Sequence, residues 1–192
     1  VIGAGWAARL LWNGIDVHVF DPNPEAQRQL DEVNENADRA LAKLTLAPRP
    51  TKGKLTFTTD LAEAVRHAEF IQESVPERID LKKFVLAEIE AHAPEDALIC
   101  SSSSGLLPSE LQTDMSHPAR FMIGHPFNPV YLLPLVEICG GSQTSSSDIE
   151  RAQGFYNAIG MRPLIVRKEI DGFIADRLME ALWREALWLV KD

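Results

Sequence analysis

The chain has 192 residues, 45% of them hydrophobic and 24% charged, with a formal charge of −9, which is ordinary globular composition and enough for one full domain plus part of another. That balance supplies no basic stripe for a phosphate backbone, so nucleic acid is excluded as a natural partner. No apolar run approaches the roughly 20 residues of a membrane span and there is no signal peptide; Cys100 and Cys139 each sit in an apolar run and read as reduced, buried thiols, so a cytoplasmic protein without a metal cluster is expected.

In chain order, VIGAGW opens with a strand-like pair, Val1 and Ile2, running into a glycine turn. AARLLWNG follows as a helix, DVHVFD as a strand, PEAQRQLDEVNENADRALAKL as a long amphipathic helix, and APRPTKGK (47–54) as a Pro/Gly/Lys loop. LTFTTD and FIQESV read as strands on either side of the helix LAEAVRHA. Next come a helix IDLKKFVLAEIEAHA, a strand with a serine-rich exit ALICSSSS, a helical turn LLPSELQTDM and a strand RFMIGH. PLVEICGG and LIVRKE are two more strands around the helix DIERAQGFYNAIG. Each parallel strand needs a crossover helix to reach it, so this alternation predicts an α/β, Rossmann-type fold with a mainly parallel sheet over residues 1–170. From Gly172 the apolar residues Phe173, Ile174, Leu178, Leu182 and Trp183 recur at helical spacing, which predicts the first helix of an all-α domain over 171–192. Both ends read as cut: the chain begins at the end of a strand and stops inside a helix, with Trp183 and Trp188 as packing surface for the rest of that domain.

Gly3-x-Gly5-x-x-Ala8 lies between a strand-like pair and a helix, and the next strand ends in Asp21. The glycines permit a tight turn and let backbone N–H groups approach a pyrophosphate at the helix N-terminus, while Ala8 keeps helix and strand close. A carboxylate at Asp21 accepts from both hydroxyls of an adenosine ribose and repels a 2′-phosphate, which points to NAD rather than NADP. The alternative for Asp21 is a helix cap, since DPNPE also has capping chemistry.

GHPFNPVYLLPLVE places two ionisable groups, His125 and Glu137, in a mostly apolar run. His125 falls at a strand end, where open parallel sheets bind ligands. Glu137 has Leu135 and Cys139 on its own strand face, and a carboxylate among apolar neighbours is expensive unless paired. An imidazole held by that carboxylate has a fixed orientation and tautomer, which suits a general base taking a proton from an alcohol. A satisfied structural histidine is the alternative.

The Gly3/Gly5/Ala8 turn, the serine run Cys100 to Ser104, GHPFNP, PLVE and DGFIADRL together resemble the 3-hydroxyacyl-CoA dehydrogenase superfamily over essentially the whole chain. GHPFNPVYLLPLVE with GFIADRLMEALWREAL is most similar to its carnitine-oxidising branch, which implies NAD-dependent oxidation of the 3-hydroxyl of L-carnitine to 3-dehydrocarnitine. The resemblance implies that His125 is the general base, Glu137 its orienting carboxylate, and Ser104 a hydrogen-bond partner of the reacting oxygen. Asn128 is implied to fix the nicotinamide or its loop, and Glu77 and Lys82, in VPERIDLK, to touch the cofactor. It also implies a homodimer formed through the helical domain. The plain alternatives are that Ser104 satisfies a turn, and that Glu77 and Lys82 are an exposed pair at a helix start.

Two features bear on the substrate. Acyl-CoA members of the superfamily carry an asparagine where this chain has Asp176, and an anion there disfavours an anionic thioester and favours a cation, unless Arg177 neutralises it. The segment from Asp21 to Leu55 has Lys43, Lys52 and Lys54 but no extended basic hairpin for CoA phosphates. A trimethylammonium group donates no hydrogen bond and is held by aromatic faces and apolar contact. Phe127 and Tyr131, with Gly172, Phe173, Ile174 and Ala175 beside Asp176, are the candidate walls of such a pocket, although Phe and Ile are core residues by default. A 3-hydroxyacyl-CoA or sugar-acid dehydrogenase, and a catalytically idle crystallin-like NAD-binding protein, are the alternatives.

Overall fold

In the computed structural model, residues 1–45 and 48–191 are described. Ala47 of the expected loop and Asp192 of the expected second domain lie outside them. Seven strands and seven α-helices follow one another as α1 (Ile2–Trp12), β1 (Val17–Phe20), α2 (Ala26–Leu44), β2 (Leu55–Thr58), α3 (Leu61–Val65), β3 (Phe70–Glu73), α4 (Ile79–His92), β4 (Leu98–Ser101), α5 (Pro108–Leu111), β5 (Phe121–Pro126), β6 (Leu135–Gly140), α6 (Ser146–Ala158), β7 (Arg162–Val166) and α7 (Ala175–Lys191). β1 and β2 pair in parallel, and β3-β4-β5-β6-β7 form a second sheet in which only β5 and β6 run antiparallel. The α/β, mainly parallel Rossmann architecture expected from the alternation is therefore present.

Period-two alternation sends neighbouring residues to opposite faces of the sheet. On one face Ile71, Ile99, Ile123 and Cys139 meet Val85, Leu86 and Ile89 of α4. On the other, Leu98, Cys100, Met122 and Ile138 meet Trp6 of α1 and Ala152 and Tyr156 of α6. Both faces are covered, which is why β4 is buried along its whole length. Burial pushes both cysteine thiols up to about 12, so they are protonated and inert, as their apolar runs suggested.

Two local expectations are corrected. Val1 and Ile2 do not form a strand: Ile2 is already helical, because two residues span too few ladder positions, while AARLLW carries the helical register back to the glycines. The last helix does not begin at Gly172 either. Gly172 and Phe173 both have positive φ, 69° and 47°, and the helix starts at Ala175. A left-handed phenylalanine is strained, and it is held there by a ring with no solvent exposure, packed into the α4-side core. The helix that follows buries none of its own side chains. No helix among the described residues is long and apolar enough to cross a membrane.

Candidate active site

The antiparallel register of β5 and β6 puts His125 directly opposite Glu137. Imidazole Nδ1 lies 3.0 Å from Glu137 Oε2, with the carboxylate fully buried and the histidine 6% exposed. The other carboxylate oxygen, Oε1, accepts the backbone N–H groups of Ile174 and Ala175, each at 2.9 Å. Those amides belong to the entry of α7, so Glu137 also meets the positive end of that helix. Burial alone would raise the Glu137 pKa, yet the His125 hydrogen bond and the two amides outweigh it and hold the carboxyl below its ordinary value.

An ionised carboxylate only accepts, so His125 carries its proton on Nδ1 and presents the Nε2 lone pair to the other side. There Asp176 Oδ2 stands 3.9 Å away. Arg177 does not neutralise it: its guanidinium reaches back to the Asp171 carbonyl at 3.4 Å. Phe127 meets the imidazole edge-on at a centroid distance of 4.8 Å. Of the expected pocket walls, Phe127 and Asp176 lie beside His125, while Ile174 and Ala175 meet its partner Glu137 through their backbone amides. Gly172 supplies the turn before α7, and Phe173 is core rather than wall, its ring 5.8 Å from the imidazole. The reason is the left-handed turn, which directs that ring inward.

A second cluster lies at the ends of β3 and β4, beside β5 in the parallel ladder. Ser104 is exposed, and its N–H, with those of Gly105 and Leu106, donates to Glu77 Oε1 at 3.1, 3.0 and 3.3 Å; the Ser103 hydroxyl donates to the same oxygen. Burial raises the Glu77 pKa, but these donors and Lys82 bring it below its ordinary value. Lys82 is 1% exposed; its Nζ donates to both oxygens of Glu73 (2.9 and 3.0 Å) and to the Val75 carbonyl, and stands 3.6 Å from Glu77. Of the exposed helix-start pair considered above, Glu77 is indeed exposed, whereas Lys82 is buried. Glu73 went unnoticed in the sequence, since nothing local in FIQE marks it as the partner of a lysine nine residues on.

At the nucleotide end, Gly3, Gly5 and Ala8 lie within α1 itself rather than in a turn before it; the helix has no side-chain cap and no acidic residue in its first turn, and its first intrahelical bond runs from the Gly5 N–H to the Val1 carbonyl at 3.0 Å, which leaves the preceding N–H groups for an anion. Val130 packs on Gly5 so closely that a Cβ there would lie 3.0 Å from the Val130 Cβ. Arg9 Nε donates to the Val130 carbonyl at 2.9 Å, tying α1 to the Asn128–Pro129 loop. Ala8 is buried and Asn128 exposed. Asp21 Oδ1 accepts the Asn23 N–H at 2.9 Å, a turn rather than a helix cap, and Asp21 lines a surface groove with Asn23, Ala26, Arg28 and Gln29. The bare helix N-terminus and a carboxylate at the end of β1 fit an adenine dinucleotide.

The family model for 3-hydroxyacyl-CoA dehydrogenase, NAD binding domain, matches residues 1–170. The chain is 60% identical over 193 residues to an L-carnitine dehydrogenase of Mesorhizobium japonicum, covering all of this chain and 53% of that protein. It is 58% identical over 192 residues to an L-carnitine dehydrogenase/betainyl-CoA thioesterase of Rhizobium sp, covering 39% of that protein. The chain thus spans about half or less of the length of these relatives. Among solved structures, an NAD+-dependent dismutase, 5-formyl-3-hydroxy-2-methylpyridine 4-carboxylic acid 5-dehydrogenase, superposes with a TM-score of 0.92 at 32% identity, over 99% of this chain and 62% of that one.

Proposed function

This chain belongs to the 3-hydroxyacyl-CoA dehydrogenase family, and from that premise we propose that it is the NAD-binding part of an L-carnitine 3-dehydrogenase, oxidising the 3-hydroxyl to the ketone of 3-dehydrocarnitine. The observation that carries the substrate is Asp176, whose carboxylate lies 3.9 Å from His125 Nε2 with no arginine paired to it among the described residues. Negative charge on the reacting side of the base favours a substrate bearing a cation, and the Phe127 ring beside it offers an aromatic face to a trimethylammonium group. The naming of relatives at 58–60% identity supports the same choice.

In this reading Nε2 of His125 takes the proton of the substrate hydroxyl, and Glu137 holds the ring and stabilises the imidazolium that forms. Ser104 hydrogen-bonds the reacting oxygen. When bound, NAD supplies the hydride acceptor. Gly3, Gly5 and Ala8 shape the N-terminal end of α1 that receives its pyrophosphate, Asp21 holds the adenosine ribose, and Asn128 and Glu77 flank the nicotinamide side, with Lys82 supporting Glu77 from beneath. Residues 1–170 make this domain, and 171–192 begin the helical domain through which a homodimer forms. The test is NADH formation by the full-length protein on L-carnitine, 3-hydroxybutyryl-CoA and L-gulonate. Turnover on L-carnitine is expected; turnover on the CoA ester alone would overturn the substrate.

A further inference from the structure

A polar hydrogen-bond chain threads the core on the α1–α6 side of the sheet, and it does not involve His125. The Tyr156 hydroxyl donates to Gln72 Oε1 at 2.7 Å, and Gln72 Nε2 donates to the Gly124 carbonyl at 3.2 Å and to Ser102 Oγ at 2.9 Å. Trp6 Nε1, on α1 one residue after Gly5, donates to the same Ser102 oxygen at 3.1 Å. Ser102 Oγ is in turn 2.8 Å from Ser74 Oγ.

The directions in this chain are fixed by its ends. The Gly124 carbonyl only accepts, so the Gln72 amide must face it with nitrogen, which leaves Oε1 for Tyr156. Burial raises the Tyr156 pKa well above its ordinary value, so the phenol stays a neutral donor. The Trp6 indole only donates. Ser102 Oγ therefore receives two donors, which use both of its lone pairs, and its own proton has one place to go, the Ser74 oxygen. Ser74 accepts that bond and keeps a proton of its own, for which no acceptor among the described residues lies in reach. Its side chain is half-buried and borders the glycine-bearing first turn of α1: a Cβ at Gly3 would sit 3.4 Å from the Ser74 Cβ.

We infer that Ser74 is a cofactor-contacting residue, donating its hydroxyl proton to an oxygen on the nicotinamide side of the pyrophosphate bridge of the bound dinucleotide. The inference rests on the reading of the glycine-bearing N-terminus of α1 as the NAD site. The buried chain behind Ser74 sets the donor outward before the ligand arrives, so binding does not have to reorient it, and successive hydrogen bonds in one direction strengthen the last. Sequence alone gives no hint of this, because the polarity of Ser74 depends on residues 68 positions before it and 82 after it.

The test is titration of the full-length protein with NAD, ADP-ribose and AMP, for wild type, Ser74→Ala and Ser74→Cys, the last keeping the shape while removing a strong donor. Both variants should bind NAD and ADP-ribose roughly 5- to 20-fold more weakly and AMP, which lacks the pyrophosphate bridge, as the wild type does. Unchanged NAD affinity in a folded Ser74→Cys protein overturns the inference while leaving the NAD site intact. An equal loss for AMP also overturns it, by placing the contact outside the stretch named. Wild-type protein that binds none of the three ligands removes the NAD reading itself.

Discussion

His125 and Glu137 face each other across the antiparallel ladder of β5 and β6, with Nδ1 3.0 Å from Oε2. The pairing joins residues 12 apart whose loop, NPVYLLP, also delivers Val130 onto Gly5 in the first turns of α1. The remaining carboxylate oxygen is taken by the Ile174 and Ala175 amides. One buried anion thus fixes the ring, the tautomer and the entry of the last helix.

That triple use gives Glu137 a signature in acid. Its folded pKa lies below the ordinary carboxylate value, so its contribution to stability is fully present above the unfolded pKa of about 4.3 and is lost as pH falls through the lower folded value. Urea unfolding of wild type should weaken through that window, whereas Glu137→Gln, already destabilised by about 1–3 kcal/mol at pH 7, should show a flatter decline. Parallel profiles for the two proteins would contradict the assignment of that charge.

Gly124 precedes His125 and is closed off by Tyr156. A Cβ at this position would lie 2.0 Å from the Tyr156 hydroxyl oxygen and 3.0 Å from its ring carbon. Gly124→Ala is expected to cost about 2–3 kcal/mol in thermal or urea unfolding, and adding Tyr156→Phe, which removes the oxygen in the way, should recover part of it. Strictly additive losses in the double variant would show that the two residues do not compete for that space.

Asp176 is the residue expected to set substrate charge. Asp176→Asn keeps the shape and the helix start but removes the anion near Nε2. The KM for L-carnitine should rise about 5- to 50-fold, the range of a lost charge contact, with kcat changing less. An unchanged KM would move the recognition of the cation to other residues.

Much of this was legible in the sequence, for identifiable reasons. Strand and helix alternation is a local signal, so β1 to β7 and α2, α4 and α6 fall where periodicity puts them, and α7 does so apart from its start. His125 and Glu137 were visible because ionisable residues in an apolar run are costly and must be resolved nearby. What escaped was long-range or steric. Glu73 pairs with Lys82, and Ser74 is set by Tyr156 through Gln72 and Ser102; no local pattern encodes either. Phe173 read as part of a helical stripe because its spacing fits, whereas the left-handed turn at Gly172 and Phe173 is decided by the burial of its ring and by the demand of Glu137 for two amides.

The proposed role of His125 as the base is tested by steady-state NADH formation from L-carnitine by full-length His125→Asn, measured alongside NAD binding. Turnover should fall by roughly 10²- to 10⁴-fold with NAD affinity nearly unchanged. Turnover at the wild-type rate in a variant that binds NAD normally would contradict it.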